Sequence, residues 1–474
     1  MLFRILIKPI LILFFVTVLG TGVWAKDDPL VLDNDTVFRN PAGLSGTFST
    51  QGLIDTSNEF FQVLGTNGRS CDTCHKPEEG WSVTPRGVEK RFKATAGTDP
   101  IFRTNDGSNS PNAKVKTRRN RRKAYSMLLN KGLIRVSLNV PENAEFELVA
   151  ASDPYGNVVT PASESSLLLS MFRRPLPATN MKFLGTVMWD GREVVAGQSI
   201  HYDLHNQANN AVAGHEQGDP LTDVQRQHIV EFETSLYTAQ VWDSKAGSLT
   251  ESGVKGGPMW LSKEQFYSGI NDFLGDSKTG ADFDPKVFTL FDSWNELIES
   301  DPTDIRAAIA RGQKIFNSKP LKIFDVPGIN DSPDFGSSEV LIGTCSTCHN
   351  TPNVGSSSHD APDVSNNSVG LFLDIGISDE VRRTSDLPLY TLRNKITGEI
   401  RKTSDPGRAL ITGRWGDIGK FKVPGLRGLA ARGPYFHNGM AKELGNVLDF
   451  YNERFQTGLN NRERLDLILF LQSL

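Results

Sequence analysis

The chain contains very little cysteine for its length. Only four cysteines occur among 474 residues, which excludes the dense disulfide framework of many small exported domains. An excess of either charge is also missing, because 51 Lys and Arg residues face 55 Asp and Glu residues. The formal net charge of −4 argues against a nucleic-acid-binding protein. Beyond the N-terminus, no apolar run is long enough to span a bilayer.

The N-terminus has the three parts of a signal peptide. Arg4 and Lys8 form a short positive region, and an apolar run follows them. Val23-Trp24-Ala25 then matches the small-x-small cleavage pattern. We therefore predict that residues 1–25 are removed and that the mature protein lies in the periplasm without a membrane span. An uncleaved anchor is the alternative.

All four cysteines lie in two copies of one short motif. The copies are Cys71-Asp-Thr-Cys74-His75 and Cys345-Ser-Thr-Cys348-His349. In C-x-x-C-H the two thiols attach a haem covalently as thioethers and the histidine ligates its iron. Redox dithiols need no trailing histidine, and zinc requires four ligands brought together. We therefore predict two covalently bound haem c groups, with His75 and His349 as proximal iron ligands.

Two haem motifs predict two related lobes and a mainly α fold with long loops. We expect an N-terminal haem domain over residues 26–300 and a C-terminal haem domain over 301–474. A capping box at Thr56 and Glu59 predicts a helix before the first motif. The apolar spacing of Ile305–Phe316 predicts the equivalent helix in the second lobe. The segments His228–Leu236 and Leu465–Leu474 have the same spacing and are expected to close the lobes.

A long insertion over about residues 80–170 separates the first motif from the rest of its lobe. Leu133–Ala151 alternates in a way that predicts a small β-hairpin inside it. A basic run, Lys114–Lys123, precedes the hairpin. This run is interpreted as a solvated face or as arginines that neutralise haem propionates, and docking of an acidic electron-transfer partner is the alternative.

Four segments of the second half closely resemble the bacterial di-haem cytochrome c peroxidase family, which includes the MauG-type enzymes. They are Asp405–Gly413, Gly419–Arg427, Pro434–Gly439 and Val447–Asn452. Met188–Glu193 is similar to the Phe-Trp-Asp-Gly-Arg segment of that family. The resemblance implies two cytochrome-c-like domains whose haems face a shared interface. It also implies that the N-terminal haem reacts with peroxide and the C-terminal haem transfers electrons.

The resemblance also assigns roles around the first haem. Trp189 matches the tryptophan that lies between the haems, with an ordinary packing role as the alternative. Gln207 matches a distal glutamine, whereas Gln217 occupies the place of the distal glutamate. Because an amide is not a base, we predict Glu216 as the catalytic base with His215 assisting it. His201 or His205 as a sixth iron ligand is a further alternative.

At the second haem the family supplies either a methionine or a tyrosine as distal ligand. Tyr451 falls on that position and is the favoured metal ligand, while Met440 competes with it. A family calcium site uses carbonyl groups that match Arg432 and Pro434. An asparagine of that site is replaced by Arg174 here, so the sequence leaves open whether calcium binds or the arginine takes its place.

These patterns predict an exported di-haem oxidoreductase that reduces hydrogen peroxide at the N-terminal haem with electrons from the C-terminal haem. A small cytochrome or a cupredoxin is the expected electron donor. Three alternatives stay open: a MauG-like oxidase of aromatic residues in a partner protein, a non-catalytic electron carrier and a haem oxygenase. A nucleic acid partner is not expected, and the chain is either a monomer or a homodimer.

Overall fold

The fold combines helices with several small antiparallel sheets. The computed structural model describes residues 31–34, 36–157, 167–195, 197–359 and 370–474, so the predicted signal peptide lies outside the described residues. About 32% of the chain is helical and 17% is strand. The prediction of a mainly α fold is therefore not confirmed. Most strands have only two to eight residues, too few to produce a clear alternating pattern in the sequence.

Within the described residues, the helices vary from single turns to helices of 14 residues. They are α1 Pro85–Thr95, α2 Arg118–Ala124, α3 Ser126–Lys131, α4 Ile200–Ala211, α5 Asp223–Ser235, α6 Pro258–Ser262, α7 Leu297–Ser300, α8 Ile305–Ser318, α9 Ala409–Thr412, α10 Leu444–Phe455 and α11 Asn461–Gln472.

The strands of the described segments are short and pair antiparallel. They are β1 Val31–Asp33, β2 Val37–Arg39, β3 Gly43–Ser49, β4 Leu53–Asp55, β5 Ile134–Asn139, β6 Phe146–Ser152, β7 Leu168–Arg173, β8 Leu236–Asp243, β9 Gly247–Ser248, β10 Leu321–Phe324, β11 Val340–Gly343, β12 Phe372–Leu373, β13 Leu389–Asn394, β14 Ile400–Thr403 and β15 Phe421–Lys422. The largest sheet has the order β2-β3-β8-β9, and a second has the order β14-β13-β6. The remaining pairs are β1-β4, β5-β7, β10-β11 and β12-β15.

The predicted hairpin of the insertion does not form. Strands β5 and β6 occur where the sequence predicts strands, but they do not pair with each other. Strand β5 pairs with β7, with Ile134 opposite Arg173. Strand β6 pairs with β13 of the C-terminal half, with Phe146 opposite Asn394. The insertion is therefore part of the contact between the two halves, because the partner of β6 lies more than 200 residues away while that of β5 lies fewer than 40 residues away.

The helices around the second motif follow the sequence prediction closely. Helix α8 begins at Ile305, where the side chain of Asp304 caps it by accepting from the Arg306 backbone N–H. Its buried face packs against α11, and Gly312 lets the Asp466 backbone approach, since a Cβ at Gly312 would lie 2.1 Å from the Asp466 carbonyl oxygen. The two helices contribute Ile309, Phe316 and Phe470 to one buried apolar cluster.

The predicted helix before the first motif is only a short 3₁₀ turn, Glu59–Phe61, capped by Asn58 rather than by Thr56. Phe60 of this turn packs against Phe232 of α5 and against Trp81. Phe60 is therefore buried by these aromatic contacts without a longer helix. Among the described residues, no helix combines the length and the apolar character that crossing a membrane requires.

Candidate active site

The two C-x-x-C-H motifs fold into nearly identical turns. Each cysteine pair spans a 3₁₀ turn, Cys71–Thr73 or Cys345–Thr347, that follows a hydroxyl residue and is closed by a capping box. The His75 backbone N–H donates to the Cys71 carbonyl at 3.1 Å, and His349 donates to Cys345 at the same distance. The turn thus brings both sulfur atoms and the histidine to one side of the backbone.

Both histidine rings are oriented for iron ligation. The Nδ1 atom of His75 lies 3.0 Å from the Trp81 carbonyl oxygen, and Nδ1 of His349 lies 2.6 Å from that of Gly355. Because a carbonyl oxygen only accepts, Nδ1 carries the proton in each ring and Nε2 keeps its lone pair. Such a second hydrogen bond is typical of ligating histidines, since it fixes the ring orientation.

Each motif opens on its own cavity. The first, of about 180 Å³, is lined by Cys71, Cys74 and His75. The second, of about 240 Å³, contains the other motif. Burial raises the pKa values of the Cys345 and Cys348 thiols to about 12, so neither resembles an activated thiolate. Free histidine Nε2 atoms, inert thiols and largely apolar walls fit two covalently attached haems, one in each cavity.

Trp189 lies on the wall between the two cavities and lines both of them. Its indole Nε1 donates to the Arg174 carbonyl at 2.8 Å, and its own carbonyl accepts from the Lys422 N–H at 2.9 Å. Hydrogen bonds therefore fix both the indole ring and the backbone of Trp189. The structure thus places Trp189 between the cavities of the two C-x-x-C-H motifs.

His215 and Glu216 reach the first cavity from a π-helical turn, Val212–Glu216, that follows α4. Such wide turns are often found at functional sites. The Nδ1 atom of His215 lies 2.5 Å from Oδ2 of Asp106, which leaves Nε2 as the free ring nitrogen. The His215 side chain keeps 41% of its surface exposed, so solvent and small molecules can reach it.

Asp106 is held in turn by Arg69, whose Nη1 lies 2.5 Å from Oδ1 of Asp106. Burial works against ionisation of Asp106, but the hydrogen bond from His215 and the Arg69 charge hold its pKa below the ordinary range. Arg69 also donates to the Ile101 and Pro100 carbonyls, which fixes the direction of its guanidinium. The result is a buried arginine–aspartate pair that orients His215.

Glu216 is buried and already hydrogen-bonded. Its Oε2 accepts from the Leu64 N–H at 3.1 Å, and its Oε1 lies 3.6 Å from the Cys71 sulfur. Burial raises the pKa of Glu216 to about 7, despite these hydrogen bonds. Gln207 also lines the first cavity, whereas Gln217 is exposed and is not among its lining residues.

Three functional candidates were missed by the sequence analysis: Arg69, Asp106 and Glu233, all lining the first cavity. Asp106 lies inside the insertion, which has no counterpart in the family resemblance, so no motif pointed to it. Glu233 was assigned only to a closing helix. It is buried, and its Oε2 has no hydrogen-bond partner among the described residues. A carboxyl on the buried face of a helix is the signal that was overlooked.

In the described structure, His201 and His205 are not among the lining residues of either cavity. The two rings contact each other on α4 instead, with centroids 4.7 Å apart and planes tilted by 51°. None of the residues of the basic run Lys114–Lys123 lines a cavity either. The run lies largely on the surface, where Arg122 pairs with Glu89 at 2.9 Å.

Tyr451 and Met440 are placed differently at the second site. Tyr451 lines the second cavity and packs in one cluster with Cys345 and Cys348. Met440 is not among the described residues that line this cavity. Burial raises the pKa of the Tyr451 phenol well above its ordinary value, and the nearby Cys348 and Cys345 sulfur atoms raise it further. Of the two sequence candidates, the geometry favours Tyr451.

The residues at the expected calcium position do not fit a calcium ion. Arg174 donates to the carbonyls of Lys131, Gly132 and Arg432 at 3.2, 3.3 and 2.7 Å. A Cβ on Gly132 would lie 2.1 Å from Arg174 Nη1, so this glycine, with φ of +62°, makes room for the guanidinium. The arginine therefore binds the Arg432 carbonyl, one of the two that the resemblance assigned to calcium. The described residues also contain no cluster of His, Cys, Asp or Glu suited to a metal.

Comparison with known proteins finds distant relatives. Distant homologues named cytochrome-c peroxidase support a cytochrome c peroxidase family. One is cytochrome-c peroxidase IdrP2 of Denitromonas iodatirespirans, 31% identical over 139 residues, which is 28% of this chain and 36% of that protein. Another is cytochrome-c peroxidase IdrP1 of Pseudomonas sp. (strain SCT), 27% identical over 150 residues, 27% of this chain and 36% of that protein. The chain thus spans about a third of the length of these curated relatives. No family model matches the chain.

Proposed function

We propose that this protein is an exported di-haem c-type peroxidase. It reduces hydrogen peroxide at the N-terminal haem site and receives electrons through the C-terminal site. The observation that carries the proposal is the pair of identical C-x-x-C-H turns on two cavities that share Trp189 as a wall. The distant cytochrome-c peroxidase homologues support the same class.

Reduction of hydrogen peroxide to two water molecules consumes two electrons and two protons. Bound haem supplies the redox-active iron to which peroxide binds and from which the electrons reach it. Of the residues in the first cavity, His215 is the best placed to move protons, because its Nε2 is free and its Nδ1 proton is held by Asp106. A positioned base of this kind contributes about 10²- to 10⁴-fold to a rate.

Glu216 takes the second role in this scheme. Its carboxyl is engaged by the Leu64 N–H and faces Cys71, so it is less free than His215 to accept a proton from peroxide. With a pKa of about 7 it exists in both protonation states near neutral pH, which suits a proton relay. This reverses the order of importance that the sequence suggested for these two residues.

Trp189 provides the path between the two sites. An indole on the common wall shortens the gap that electrons must cross, and its hydrogen bond to the Arg174 carbonyl fixes the ring. A small periplasmic cytochrome or cupredoxin would then deliver electrons to the C-terminal haem from outside.

A protein-modifying oxidase is a second candidate, favoured by the position of Tyr451. A phenolate ligand favours higher oxidation states of iron, whereas a thioether favours the reduced state. Tyr451 on the second cavity, with Met440 outside it, would make the C-terminal haem a poor acceptor from an ordinary cytochrome. The oxidising equivalents would then be used on an aromatic side chain of a partner protein.

The proposal is tested on the purified full-length protein in three steps. Mass spectrometry of the denatured protein should show two covalent haem groups. Electron paramagnetic resonance should show one high-spin and one low-spin ferric signal, and one equivalent of hydrogen peroxide should change both the absorption and the resonance spectra. Two low-spin signals without a response to peroxide would instead establish an electron carrier, and a stable dioxygen adduct would establish a haem oxygenase.

The electron source is tested separately. A peroxidase consumes hydrogen peroxide continuously when a reduced small cytochrome or cupredoxin is present. A protein-modifying oxidase reacts with the first equivalent of peroxide even without its protein substrate. It consumes peroxide continuously only when that substrate is present. Turnover with a panel of reduced donors therefore distinguishes the two functions.

A further inference from the structure

Four basic side chains stand on the wall between the two cavities. They are Arg174, Lys422, Arg427 and Arg432, and all of them line the first cavity. All but Arg427 also line the second. Arg174, Lys422 and Arg427 are at most 6% exposed. The wall between the cavities therefore carries an unusual concentration of buried positive charge.

Among the described residues, these side chains donate hydrogen bonds only to neutral acceptors. Lys422 Nζ donates to the Thr186 carbonyl at 2.9 Å, and Arg427 donates to the carbonyls of Asn353 and Gly257. In the part of the chain that the structure describes, no carboxylate lies within 4.0 Å of any of the four. The neighbouring Arg173 is a clear contrast, because it binds the carboxylates of both Asp190 and Asp405.

Several of their N–H groups are also unused. The Nε atom of Arg427 is buried and has no hydrogen-bond partner among the described residues. Lys422 has three ammonium hydrogens and one recorded acceptor. Burial lowers the pKa of Lys422 to about 8 and that of Arg427 to about 10. Buried cations with neither a direct ion pair nor a full set of hydrogen bonds are strongly destabilising, so anions placed in the two cavities would stabilise this wall.

We propose that this cationic wall, Arg174, Lys422, Arg427 and Arg432, binds the propionate carboxylates of the two porphyrins. The inference rests on the proposed attachment of one haem in each cavity. Each haem carries two carboxylates, so two haems bring four anions to a wall with four cations. Charge-assisted hydrogen bonds of this type are the strong ones, and guanidinium groups suit carboxylates especially well.

This assignment moves the propionate-binding role away from the basic run Lys114–Lys123, which the sequence suggested and which does not reach either cavity. It also gives the wall an electronic role. Positive charge beside a porphyrin favours the reduced state of its iron, because the reduced iron has one positive charge less. Since three of the four cations line both cavities, each of them acts on both haems.

The test uses the full-length holoprotein with haem labelled by carbon-13 at the propionate carboxyls. The variants are Arg427→Gln and Lys422→Gln, and Arg122→Gln is the control because it removes an equal charge from an exposed surface pair. Lys422→Arg keeps the charge on the wall. We expect Arg427→Gln and Lys422→Gln to shift the isotope-sensitive carboxylate bands in redox-difference infrared spectra and to lower a haem midpoint potential. Arg122→Gln should change neither, and Lys422→Arg should change the potential less than Lys422→Gln.

Two results would overturn the inference, and they are distinguishable. If mass spectrometry finds no covalent haem in the wild-type protein, the proposed function fails and the inference fails with it. If two haems are attached but the labelled bands and both potentials are unchanged in Arg427→Gln and Lys422→Gln, the function stands and the propionate assignment is wrong. A third result would also overturn the propionate assignment. If chloride or phosphate alters the wild-type potentials as strongly as the substitutions do, the wall binds solvent anions instead.

Discussion

The indole of Trp189 donates its only N–H to the backbone carbonyl of Arg174, 2.8 Å away. The Arg174 N–H donates in turn to the His437 carbonyl at 2.6 Å, so one residue connects the indole to the C-terminal half. Trp189 cannot tilt without breaking this link. The ring between the two cavities is therefore fixed by the same backbone that joins the halves of the protein.

Replacing this indole should uncouple the two sites. We expect Trp189→Phe to lower donor-supported peroxide turnover at least tenfold, equal to about 1.4 kcal/mol in the activation barrier. The first equivalent of peroxide should still react at the N-terminal site, because His215, Asp106 and Glu216 are unchanged. Stopped-flow absorption measures the first step and steady-state assay the second.

Trp242→Phe is the matched control, because Trp242 lies on β8 with 47% of its surface exposed. Its turnover should equal that of the wild type. Equal turnover of Trp189→Phe and Trp242→Phe would show that electrons do not pass through the indole.

His215→Gln should slow the reaction with peroxide itself. Glutamine retains a donor for Asp106 but has no basic nitrogen, so we expect a loss of about 10²- to 10⁴-fold in the second-order rate constant. Glu216→Gln should cost less, because its amide still accepts from the Leu64 N–H. His228→Gln, at an exposed histidine of α5, is the control. The reverse order, with Glu216→Gln the more damaging change, would return the role of base to Glu216.

Asp106 explains why part of this site escaped prediction from the sequence. The haem motifs and Ile305–Ser318 were predictable because their signals are local: five adjacent residues in one case and a helical period in the other. Asp106 meets His215 across 109 positions, from an insertion without a recognisable pattern. The pairing of β6 with β13 escaped for the same reason, since neither strand carries information about its partner.

The distal ligand of the proposed second haem is identified by comparing two substitutions. If Tyr451 ligates the iron, Tyr451→Phe should change the low-spin ferric resonance signal and raise the midpoint potential of that haem, because an anionic ligand is lost. Met440→Leu should leave both unchanged. A change in Met440→Leu alone would identify the thioether as the ligand and favour an ordinary cytochrome donor.

Calcium should be unnecessary, because the Arg174 guanidinium binds the Arg432 carbonyl that would otherwise hold the ion. A calcium chelator should change neither the unfolding midpoint nor the turnover of the wild type. Arg174→Asn should be destabilised by about 2–5 kcal/mol, since buried carbonyls lose their donors. Added calcium should recover part of that loss in Arg174→Asn and none in Arg427→Asn, which alters a different set of carbonyls. Stoichiometric calcium in the purified wild type would contradict this prediction.

The buried carboxyl of Glu233 should make stability depend on pH. Burial raises its pKa from an ordinary 4.5 to about 8. The folded protein therefore keeps a proton that the unfolded chain loses above pH 4.5. The stabilising contribution is complete below pH 4.5 and is lost as the pH rises through about 8. Urea unfolding at pH 5 and pH 8.5 measures this difference.

Glu233→Gln stays neutral at every pH and should remove this dependence. The difference in unfolding free energy between Glu233→Gln and the wild type should therefore depend on pH. It should be more favourable to the variant at pH 8.5 than at pH 5 by on the order of 4 kcal/mol. Glu231→Gln, two residues earlier on the exposed face of α5, should follow the wild type at both pH values. If Glu233→Gln and Glu231→Gln show the same pH dependence, Glu233 is ionised in the folded protein and must have a counter-ion that neutralises it.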